Sequence, residues 1–276
     1  MPELPEVETI RQTLRQLVVG KTVESVAVHW PKIIQAPDDV EQFKQLMPGQ
    51  TITEIRRKGK FLLFDLTDYV LVSHLRMEGK YGVYPKKDKM QDHTHVIFSF
   101  TDGTELRYRD VRKFGTMHLF EKGKELLDKP LVQLAKDPLE TDFVIDLFKE
   151  KVKKSTRVIK NILLDQTVIA GLGNIYVDET LYLAGVHPLT KGTDLSDKAL
   201  DRIVDAAIET LEKAVAQGGT TIRSYVNSQG QIGMFQQELK VYGQTEKPCQ
   251  ACGRPIEKIK VSGRGTHYCP NCQTQA

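Results

Sequence analysis

The sequence predicts a multidomain α+β protein, and three observations along its 276 residues lead to this fold class. Residues 22–120 contain many short β-like segments, which turn signals such as TDGT and RKGK separate. From about Pro130 onward the segments become longer and helical. All four cysteines then lie near the C-terminal end. A chain of this length is expected to form two domains, or one large domain with an appendage.

The composition is that of a globular protein, with 40% apolar residues and a formal net charge of +3. No stretch reaches the roughly 18 apolar residues that a transmembrane helix needs. The acidic N-terminus lacks the apolar run of a signal peptide, so we expect a cytoplasmic protein. The basic residues gather in three clusters, which favours a phosphate-binding surface: Arg56–Lys60, Arg107–Lys113 and Lys149–Lys160.

The N-terminal third begins with a predicted amphipathic helix over residues 6–18. Val7, Ile10 and Leu14 share one face of it, and Gly20 ends it. Short strands follow without predicted helices between them, which indicates a sandwich or barrel. The strand candidates are TVESVAVHW, TITEIRR, FLLFDL, YVLVSHL, THVIFSF, ELRYRD and TMHLF.

Four helices are predicted after Pro130: DFVIDLFKEKV, STRVIKNILLD, NIYVDETLYLAG and SDKALDRIVDAAIETLEKAVAQ. Ser196 caps the last of them, and Gly218-Gly219 end it. Residues 219–235 have little periodicity and are predicted to form a mobile loop. We expect domains at 1–130, 131–235 and 236–276.

The cysteine spacing predicts a metal site in the last of these domains. Cys249 and Cys252 form one CxxC pair, Cys269 and Cys272 form another, and sixteen residues lie between the two pairs. In a cytosolic protein this pattern is typical of a tetrahedral zinc site, and four protein ligands make the zinc structural. The intervening IEKIKVSGRGTHYC predicts a hairpin with Arg264 at its tip. Arg264 is then either an exposed turn residue or a phosphate contact, and its flanking glycines favour the contact.

The segment LLDQTVIAGLGNIYVDE places two glycines and Asn174 between two predicted helices. The N-terminus of the second helix offers free N–H groups to a phosphate. A plain helical hairpin has the same pattern, but Lys154 and Lys160 on the preceding segment favour DNA.

The first residues, MPELPEVE, suggest covalent chemistry. Removal of Met1 exposes the secondary amine of Pro2, and Glu3 and Glu6 supply carboxyl groups beside it. An acidic helix start explains the two glutamates equally well when the octapeptide is taken alone.

Seven motifs lie along the chain in one order: MPELPEVET, RRKGKF, SHLRMEGKY, RDVRKFGT, GLGNIYVDE, GGTT and the four-cysteine finger. Together they resemble the bacterial formamidopyrimidine-DNA glycosylases, the 8-oxoguanine repair enzymes. The resemblance covers essentially the whole chain. It implies an N-terminal β-sandwich with flanking helices, a helix-two-turns-helix domain and a C-terminal zinc-ribbon finger, with DNA between the halves. It also implies base excision followed by β,δ-elimination.

The resemblance assigns catalytic roles to four residues. Pro2 is the nucleophile that attacks C1′, and Glu3 is the general acid and base. Lys60 contacts the damaged nucleotide and assists β-elimination, whereas Arg264 binds phosphate and assists δ-elimination. A terminal amine has an ordinary pKa of about 7.7–8.0 against about 10.4 for lysine, so more of it is nucleophilic near neutral pH.

The resemblance also implies residues that bind DNA and recognise the lesion. The expected DNA contacts are His74, His93, Arg109, Arg112, Lys154, Lys160, Asn174 and Tyr242. The residues expected to fill the gap left by the everted base are Met77, Arg112 and Phe114. The residues expected at the lesion are Glu6, Thr220, Arg223 and Tyr225, with 219–235 as a loop that closes over it.

One departure and one condition accompany this resemblance. Ser155-Thr156 stand where some members carry lysines, which weakens the assignment of Lys154 relative to Lys160. The lyase reaction requires that Met1 be removed.

We expect a monomer with one structural zinc ion and no soluble cofactor, acting on double-stranded DNA with oxidised purines and on no membrane. Two alternatives remain open. One is an endonuclease VIII-like enzyme for oxidised pyrimidines, which LPEVET and the gap-filling trio disfavour. The other is a non-catalytic zinc-ribbon DNA-binding protein, which leaves Pro2, Glu3 and Lys60 without a role.

Overall fold

The computed structural model describes residues 2–220 and 233–274. The chain divides into two compact units. Unit 1 is Met1–Val132 with Thr221–Gly233, and unit 2 is Gln133–Thr220 with Met234–Ala276. The predicted mobile loop at 219–235 falls largely outside the described residues. Within the described part of the chain, no helix has both the length and the apolar character that crossing a membrane requires.

Helix α1, Leu4–Val18, opens unit 1 and confirms the predicted amphipathic helix. It begins two residues earlier than predicted, because Pro5 lies in the first turn, where a missing N–H breaks no hydrogen bond. Its apolar face is buried along the whole helix through Leu4, Val7, Ile10, Leu14 and Val18.

Two sheets form the body of unit 1. The first has the strand order β1-β7-β8-β6 and the second β2-β9-β5-β4-β3. Strand β2 pairs with β9 in parallel, and the other pairs are antiparallel. The strands are β1 Val23–Val28, β2 Ile34–Ala36, β3 Glu54–Lys58, β4 Phe61–Asp65, β5 Tyr69–His74, β6 Lys80–Pro85, β7 Thr94–Phe100, β8 Thr104–Arg109 and β9 Thr116–Glu121.

One hydrophobic core joins the two sheets and helix α1, so unit 1 is a β-sandwich as predicted. Phe98 and Leu106 of the first sheet, Leu62 and Phe64 of the second, and Leu14 of α1 belong to the same buried cluster. Strand β7 contributes every second residue to this cluster, Val96, Phe98 and Phe100, so one face of its sheet packs on the shared core.

The sequence-based assignment missed three elements of unit 1. Helix α2, Val40–Leu46, lies between strands that were predicted to have no helix between them. It is only seven residues long and buries Phe43 alone, so it has no apolar stripe to detect. Strand β2 is three residues long. Strand β6 contains Gly82 and ends at Pro85, which disfavour a strand; β6 lies at a sheet edge, where proline is tolerated.

Unit 2 contains the four predicted helices and the finger hairpin. The helices are α3 Ile145–Lys153, α4 Ile159–Leu164, α5 Asn174–Ala184 and α6 Asp197–Ala216, and the strands are β10 Glu257–Val261 and β11 Arg264–Tyr268. The Ser196 hydroxyl caps α6 by accepting from the Ala199 N–H at 3.2 Å. Helix α5 is buried on nearly every face, including at Asp178 and Glu179.

Two leucines of α1 test how much the sandwich depends on this helix. Leu14 is fully buried, whereas Leu17 is only partly buried against the same core. Leu14→Ala should lower the free energy of unfolding by about 3 kcal/mol, because it leaves a cavity that the two sheets cannot close. The measurement is urea unfolding followed by fluorescence of Trp30, the only tryptophan of the chain.

Leu17→Ala is the matched control and should cost less, about 1 kcal/mol, since part of its side chain is already in water. Equal losses from the two substitutions would contradict the packing of α1 described here.

Candidate functional site

The first turn of helix α1 holds the predicted nucleophile and its acid. Pro2 and Glu3 are both buried, and Glu3 is the residue that precedes the helix. The Glu3 N–H donates to Glu6 Oε2 at 2.8 Å, and the Glu3 carboxylate accepts from the Glu6 backbone in return. Glu6 therefore fixes the backbone that carries Pro2 and Glu3. These reciprocal contacts form a capping box, which agrees with the interpretation of the glutamates as an acidic helix start.

The turn between β3 and β4 carries Lys60. Lys58 pairs with Phe61, so Gly59 and Lys60 form a two-residue turn, and Gly59 has the positive φ of 54° that such a turn needs. Arg57 ties this turn to α1, because its guanidinium contacts Glu8 at 3.1 Å and donates to the Gly59 carbonyl at 2.9 Å. Arg57 thus connects the Gly59-Lys60 turn to helix α1, which begins two residues after the predicted nucleophile.

The carboxylate of Glu8 remains charged in this position. Burial alone would raise its pKa, but hydrogen bonds from Arg11 and Gln12, with the charges of Arg11 and Arg57, outweigh burial and lower the pKa below its ordinary value. The tie between α1 and the lysine turn is therefore an ion pair at neutral pH.

His74 ends strand β5 beside this turn. It pairs with Phe61, and the two rings meet edge to face at 4.5 Å. Burial, followed by the charges of Arg76 and Lys60, lowers the pKa of His74 to about 3, so the ring is neutral. Its Nδ1 accepts from the Arg76 N–H at 2.9 Å, which places the ring proton on Nε2. The ring is therefore a neutral hydrogen-bond donor within a positively charged cluster.

The residues predicted to fill the gap left by a base lie on two exposed loops. Met77 is 38% exposed and Phe114 is 52% exposed, although both are apolar. The Arg112 guanidinium stacks over the Phe114 ring at 4.6 Å from its centroid. The alternative that Met77 and Phe114 belong to the core does not agree with these positions.

His93 and Arg109 lie beside each other on unit 1. His93 is exposed and has a positive φ of 63°, and its carbonyl accepts from the Asp110 N–H. Arg109 is half-buried and donates to the Asp92 carbonyl at 3.1 Å. Both residues therefore lie at the surface on constrained backbone, as a phosphate contact requires.

In unit 2, Asn174 begins helix α5 directly after Gly171–Gly173. Its amide donates to the carbonyl of Gly265 in the finger hairpin at 3.0 Å. Its Oδ1 is buried and has no hydrogen-bond partner among the described residues. The helix start and the finger are thus joined at the position where the phosphate contact was predicted.

Lys160 differs from its predicted role. It was expected at a DNA-facing surface, but its side chain is fully buried, and Nζ contacts Asp178 Oδ1 at 2.5 Å. Asp178 Oδ2 accepts from the His267 N–H at 2.9 Å. An ammonium ion needs a carboxylate when it leaves water, and Asp178 supplies it. In the structure Lys160 joins helices α4 and α5 to strand β11 rather than lying in solvent.

Arg264 is exposed at the start of β11, one position away from the predicted tip. The hairpin turn consists of Ser262 and Gly263, both with positive φ, and Arg264 pairs with Val261. Asn161 of α4 donates to the Ser262 hydroxyl at 2.7 Å. The arginine thus extends from a hairpin that helices α4 and α5 hold on one side.

Glu179 fixes the segment that carries Tyr242. Its carboxylate accepts the backbone N–H groups of Lys240, Val241 and Tyr242 at 2.8–3.0 Å. Burial raises the pKa of Glu179, and these three hydrogen bonds oppose the rise. The Tyr242 ring packs edge to face on His267 at 4.9 Å.

The four cysteines converge as the spacing predicted. Their sulfur atoms all lie within 4.8 Å of one another. The Cys249–Cys272 and Cys252–Cys269 sulfur pairs are 3.8 and 3.5 Å apart. A tetrahedral zinc ion with bonds of about 2.3 Å needs sulfur atoms about 3.8 Å apart, so the site fits one zinc ion. All four positions are cysteine, and the zinc is structural.

The remaining predicted residues are less informative. Lys154 is exposed and pairs with Glu150 on its own helix at 2.5 Å. Thr220 is buried and bridges to Met234. Arg223 and Tyr225 lie outside the described residues.

Sequence reasoning missed the buried carboxylates that support these residues. Asp110 lies beneath the Arg112 and Phe114 loop, and Asp178 and Glu179 lie beneath the finger. A signal existed in RDVRKFG, because an aspartate before a short glycine-ended loop often accepts local N–H groups. No comparable signal marked Asp178 and Glu179, whose backbone N–H partners are more than sixty residues away in the sequence.

A β-sandwich with basic residues on constrained loops, a helical domain and a four-cysteine finger define a modular zinc protein. Three family models match the chain in the same order. They are the formamidopyrimidine-DNA glycosylase N-terminal domain at residues 1–117, the H2TH domain of the same enzymes at 134–226, and the zinc finger found in FPG and IleRS at 246–275. The chain belongs to the formamidopyrimidine-DNA glycosylase family.

Relatives and solved structures agree over the full length. Formamidopyrimidine-DNA glycosylases of Shouchella clausii and Bacillus subtilis are 59% and 54% identical, and each match covers at least 99% of both chains. The Lactococcus lactis Fpg protein has been solved with DNA that contains N7-benzyl-Fapy-dG. It superposes with a TM-score of 0.92 at 44% identity, over 99% of this chain and 100% of that one. The same protein with abasic-site DNA gives 0.92 at 42% identity, with the same coverage.

The neutral state of His74 makes the stability of unit 1 depend on pH. The folded pKa of about 3 lies below the ordinary value of 6.5. Between these values the unfolded chain takes up a proton that the native ring does not, so stability falls as the pH falls below 6.5. From pH 7 to pH 5 this group should remove about 2 kcal/mol from the free energy of unfolding.

His74→Asn keeps an acceptor for the Arg76 N–H and cannot titrate. Urea unfolding at pH 7 and pH 5, followed by Trp30 fluorescence, should show a smaller loss in this variant than in the wild type. The other histidines are common to both proteins and cancel. Equal losses would show that the ring is not held neutral.

Zinc removal tests the finger. Native mass spectrometry should find one zinc ion per chain, and none in Cys252→Ser, because the sulfur tetrahedron has lost a corner. Asn271→Ser changes the same loop without touching a ligand and should retain the ion. Full occupancy in Cys252→Ser would contradict the four-thiolate site.

Proposed function

We propose that this chain is a DNA glycosylase with AP lyase activity, which excises oxidised purines such as 8-oxoguanine and formamidopyrimidines in base excision repair. The observation that carries the proposal is the first turn of α1. A proline whose amine is exposed by removal of Met1 lies beside a buried glutamate, and Arg57 and Glu8 fasten the Lys60 turn to the same helix. A DNA-binding protein without catalysis has no use for this arrangement.

The chemistry begins with the secondary amine of Pro2. Its lone pair forms a bond to C1′, and the bond from C1′ to the base breaks. The base leaves with those electrons and takes up the proton that the Pro2 nitrogen releases. The nitrogen then forms a double bond to C1′ while the bond from C1′ to the ring oxygen breaks. Glu3 donates the proton that this oxygen takes up. Because the amine is secondary, the resulting iminium cannot lose its charge by deprotonation.

The charged iminium is the electron sink for strand cleavage. Loss of a C2′ proton sends electrons toward nitrogen, and the 3′ phosphate leaves. A second elimination releases the 5′ phosphate, and water then frees Pro2 from the remaining sugar fragment. We assign Lys60 to the first elimination and Arg264 to the second, since each supplies a cation for a departing phosphate.

The proposed DNA contacts combine cations with neutral donors. The His74 ring donates from Nε2, and His93, Arg109 and Tyr242 are at or near the surface on fixed backbone. Asn174 begins a helix whose N–H groups suit a phosphate. Lys160 acts through the finger that it supports, and Lys154 is a peripheral contact. Binding should weaken steeply with salt.

Recognition of the lesion is proposed for Glu6, Thr220, Arg223 and Tyr225, and opening of the duplex for Met77, Arg112 and Phe114. A thioether and an aromatic ring replace lost stacking, while an arginine hydrogen-bonds the orphaned cytosine. The relatives named above are bacterial, and we place this chain in the bacterial cytoplasm as a monomer without a soluble cofactor.

Borohydride trapping tests the proposal. The protein is mixed with a duplex that holds one 8-oxoguanine opposite cytosine, reduced, and the cross-linked peptide is mapped by mass. The expected cross-link lies on Pro2, because its amine is the group proposed to form the iminium at C1′ that borohydride reduces. Pro2→Gly and Glu3→Gln should bind the duplex and lose turnover by about 100-fold or more.

Glu24→Gln is the matched control, since it changes an exposed carboxylate of the same unit that pairs with Lys86 and has no proposed role in the site. It should still cross-link at Pro2. Binding without a cross-link or a cut in the wild type would favour the non-catalytic alternative. Cross-linking to an oxidised-pyrimidine duplex but not to the 8-oxoguanine duplex would favour the endonuclease VIII-like alternative.

A further inference from the structure

The carboxylate of Asp110 is buried directly after strand β8 and has a role that the catalytic scheme leaves unassigned. Its Oδ1 accepts the Arg112 N–H at 3.0 Å. Its Oδ2 accepts the Phe114 and Gly115 N–H groups at 2.9 and 2.8 Å. One side chain therefore holds the backbone of the whole 110–115 loop. Hydrogen bonds from N–H groups to a buried carboxylate are among the stronger ones in proteins.

The loop adopts a conformation that needs such support. Lys113 has a φ of 58°, in the left-handed region that residues other than glycine rarely occupy. Its N–H closes a turn onto the Asp110 carbonyl at 3.2 Å. Its ammonium lies 4.2 Å from the centroid of the Trp30 ring. The loop is thus held from within by Asp110 and from outside by Trp30.

The hydroxyl of Tyr108 links this loop to the loop that carries Met77. It lies 3.3 Å from Asp110 Oδ2. A Cβ added at Gly115 would lie 1.7 Å from this hydroxyl, and one added at Gly79 would lie 2.3 Å from it. Only glycine allows the approach at either position, so the hydroxyl contacts the main chain of both loops.

The result is a fixed backbone with exposed apolar side chains. Met77 is two residues before Gly79, and Phe114 directly precedes Gly115. Both side chains are in solvent, while the carboxylate and the hydroxyl beneath them are buried. A loop that is already in shape loses less conformational freedom when it binds.

We propose that Asp110, together with Tyr108, is a positioning residue that holds the Met77 and Phe114 loops ready to enter the duplex before DNA binds. The inference rests on the proposed function, because it concerns how the base is displaced. Eversion must replace the stacking of a base, whereas an abasic site has no base to displace. The contribution of Asp110 should therefore appear on a base-containing lesion.

Asp110→Asn is the test variant. It keeps the shape of the side chain but replaces one acceptor oxygen with an amide that faces backbone N–H groups. Single-turnover rates are measured on an 8-oxoguanine duplex and on an abasic duplex. We expect the rate on the 8-oxoguanine duplex to fall by about 10- to 100-fold, as when a functional group is misplaced by about an ångström. The rate on the abasic duplex should fall by less than about threefold. Trp30 emission of the free protein should change as Lys113 moves.

Asp102→Asn is the matched control. Asp102 also accepts a local backbone N–H, from Thr104 at 2.9 Å, in a turn that carries no proposed DNA contact. Both rates should stay at the wild-type level. Thermal unfolding of both variants checks folding. If Asp110→Asn does not fold, Tyr108→Phe takes its place, with a smaller loss that again falls on the 8-oxoguanine duplex.

A double-mutant cycle separates positioning from general support. In a Phe114→Ala background the ring that Asp110 is proposed to position is already missing. Asp110→Asn should therefore lower the rate on the 8-oxoguanine duplex by less than about threefold further. Additive losses, equal losses on both duplexes, or no loss would overturn the inference while the wild type remains an active glycosylase. A wild type inactive on both duplexes would overturn the proposed function, and this inference with it.

Discussion

Buried carboxylates that accept backbone N–H groups are the interaction on which the functional surfaces of both units depend. Asp110 holds three N–H groups of the 110–115 loop, and Glu179 holds three of the segment before the finger. Asp178 holds the His267 N–H together with the buried ammonium of Lys160. A carboxylate that has left water must be fully paired, so each of these groups fixes its surroundings. The segments that Asp110 and Glu179 hold are irregular, so regular secondary structure alone would leave their N–H groups without partners.

The need to pair buried carboxylates explains why exposed functional side chains lie directly beside buried polar groups. Arg112, Phe114 and Arg264 are proposed to meet DNA and are exposed. Asp110, which fixes the backbone of the first two, is buried. Arg264 is exposed, but Gly265 beside it is held by Asn174. Phe114 is exposed, but its own N–H is held by Asp110. A protein that must displace a base needs an exposed side chain on a fixed backbone. A flexible loop would lose conformational entropy when it became ordered on binding.

The fold and the metal site were accessible from the sequence because their signals are local. Period-2 and period-3.6 patterns predicted the sandwich and the four helices, and the paired CxxC motifs predicted the zinc site. Helix α2 and strand β6 were not predicted. Helix α2 has seven residues and buries only one of them, so it shows no apolar stripe. Strand β6 contains a glycine and a proline, which hide the alternating pattern of a strand. The residue roles taken from the family resemblance stay proposals. For two of these residues the structure changes the expected location. The Lys160 side chain is buried inside unit 2, and the finger turn lies at Ser262–Gly263, so Arg264 begins the next strand.

By itself, the sequence determined which side chains are available: an N-terminal proline with glutamates, basic turns, and four cysteines at zinc spacing. Hydrophobic periodicity and ligand spacing are properties of neighbouring residues, so one chain suffices to reveal them. Tertiary structure decided which of these groups are buried and which are exposed. It made His74 neutral by burying it near two cations, and it turned Lys160 from an expected surface contact into an internal support. Burial and pairing depend on residues that are distant in the chain, and local sequence patterns do not show which distant residues come into contact.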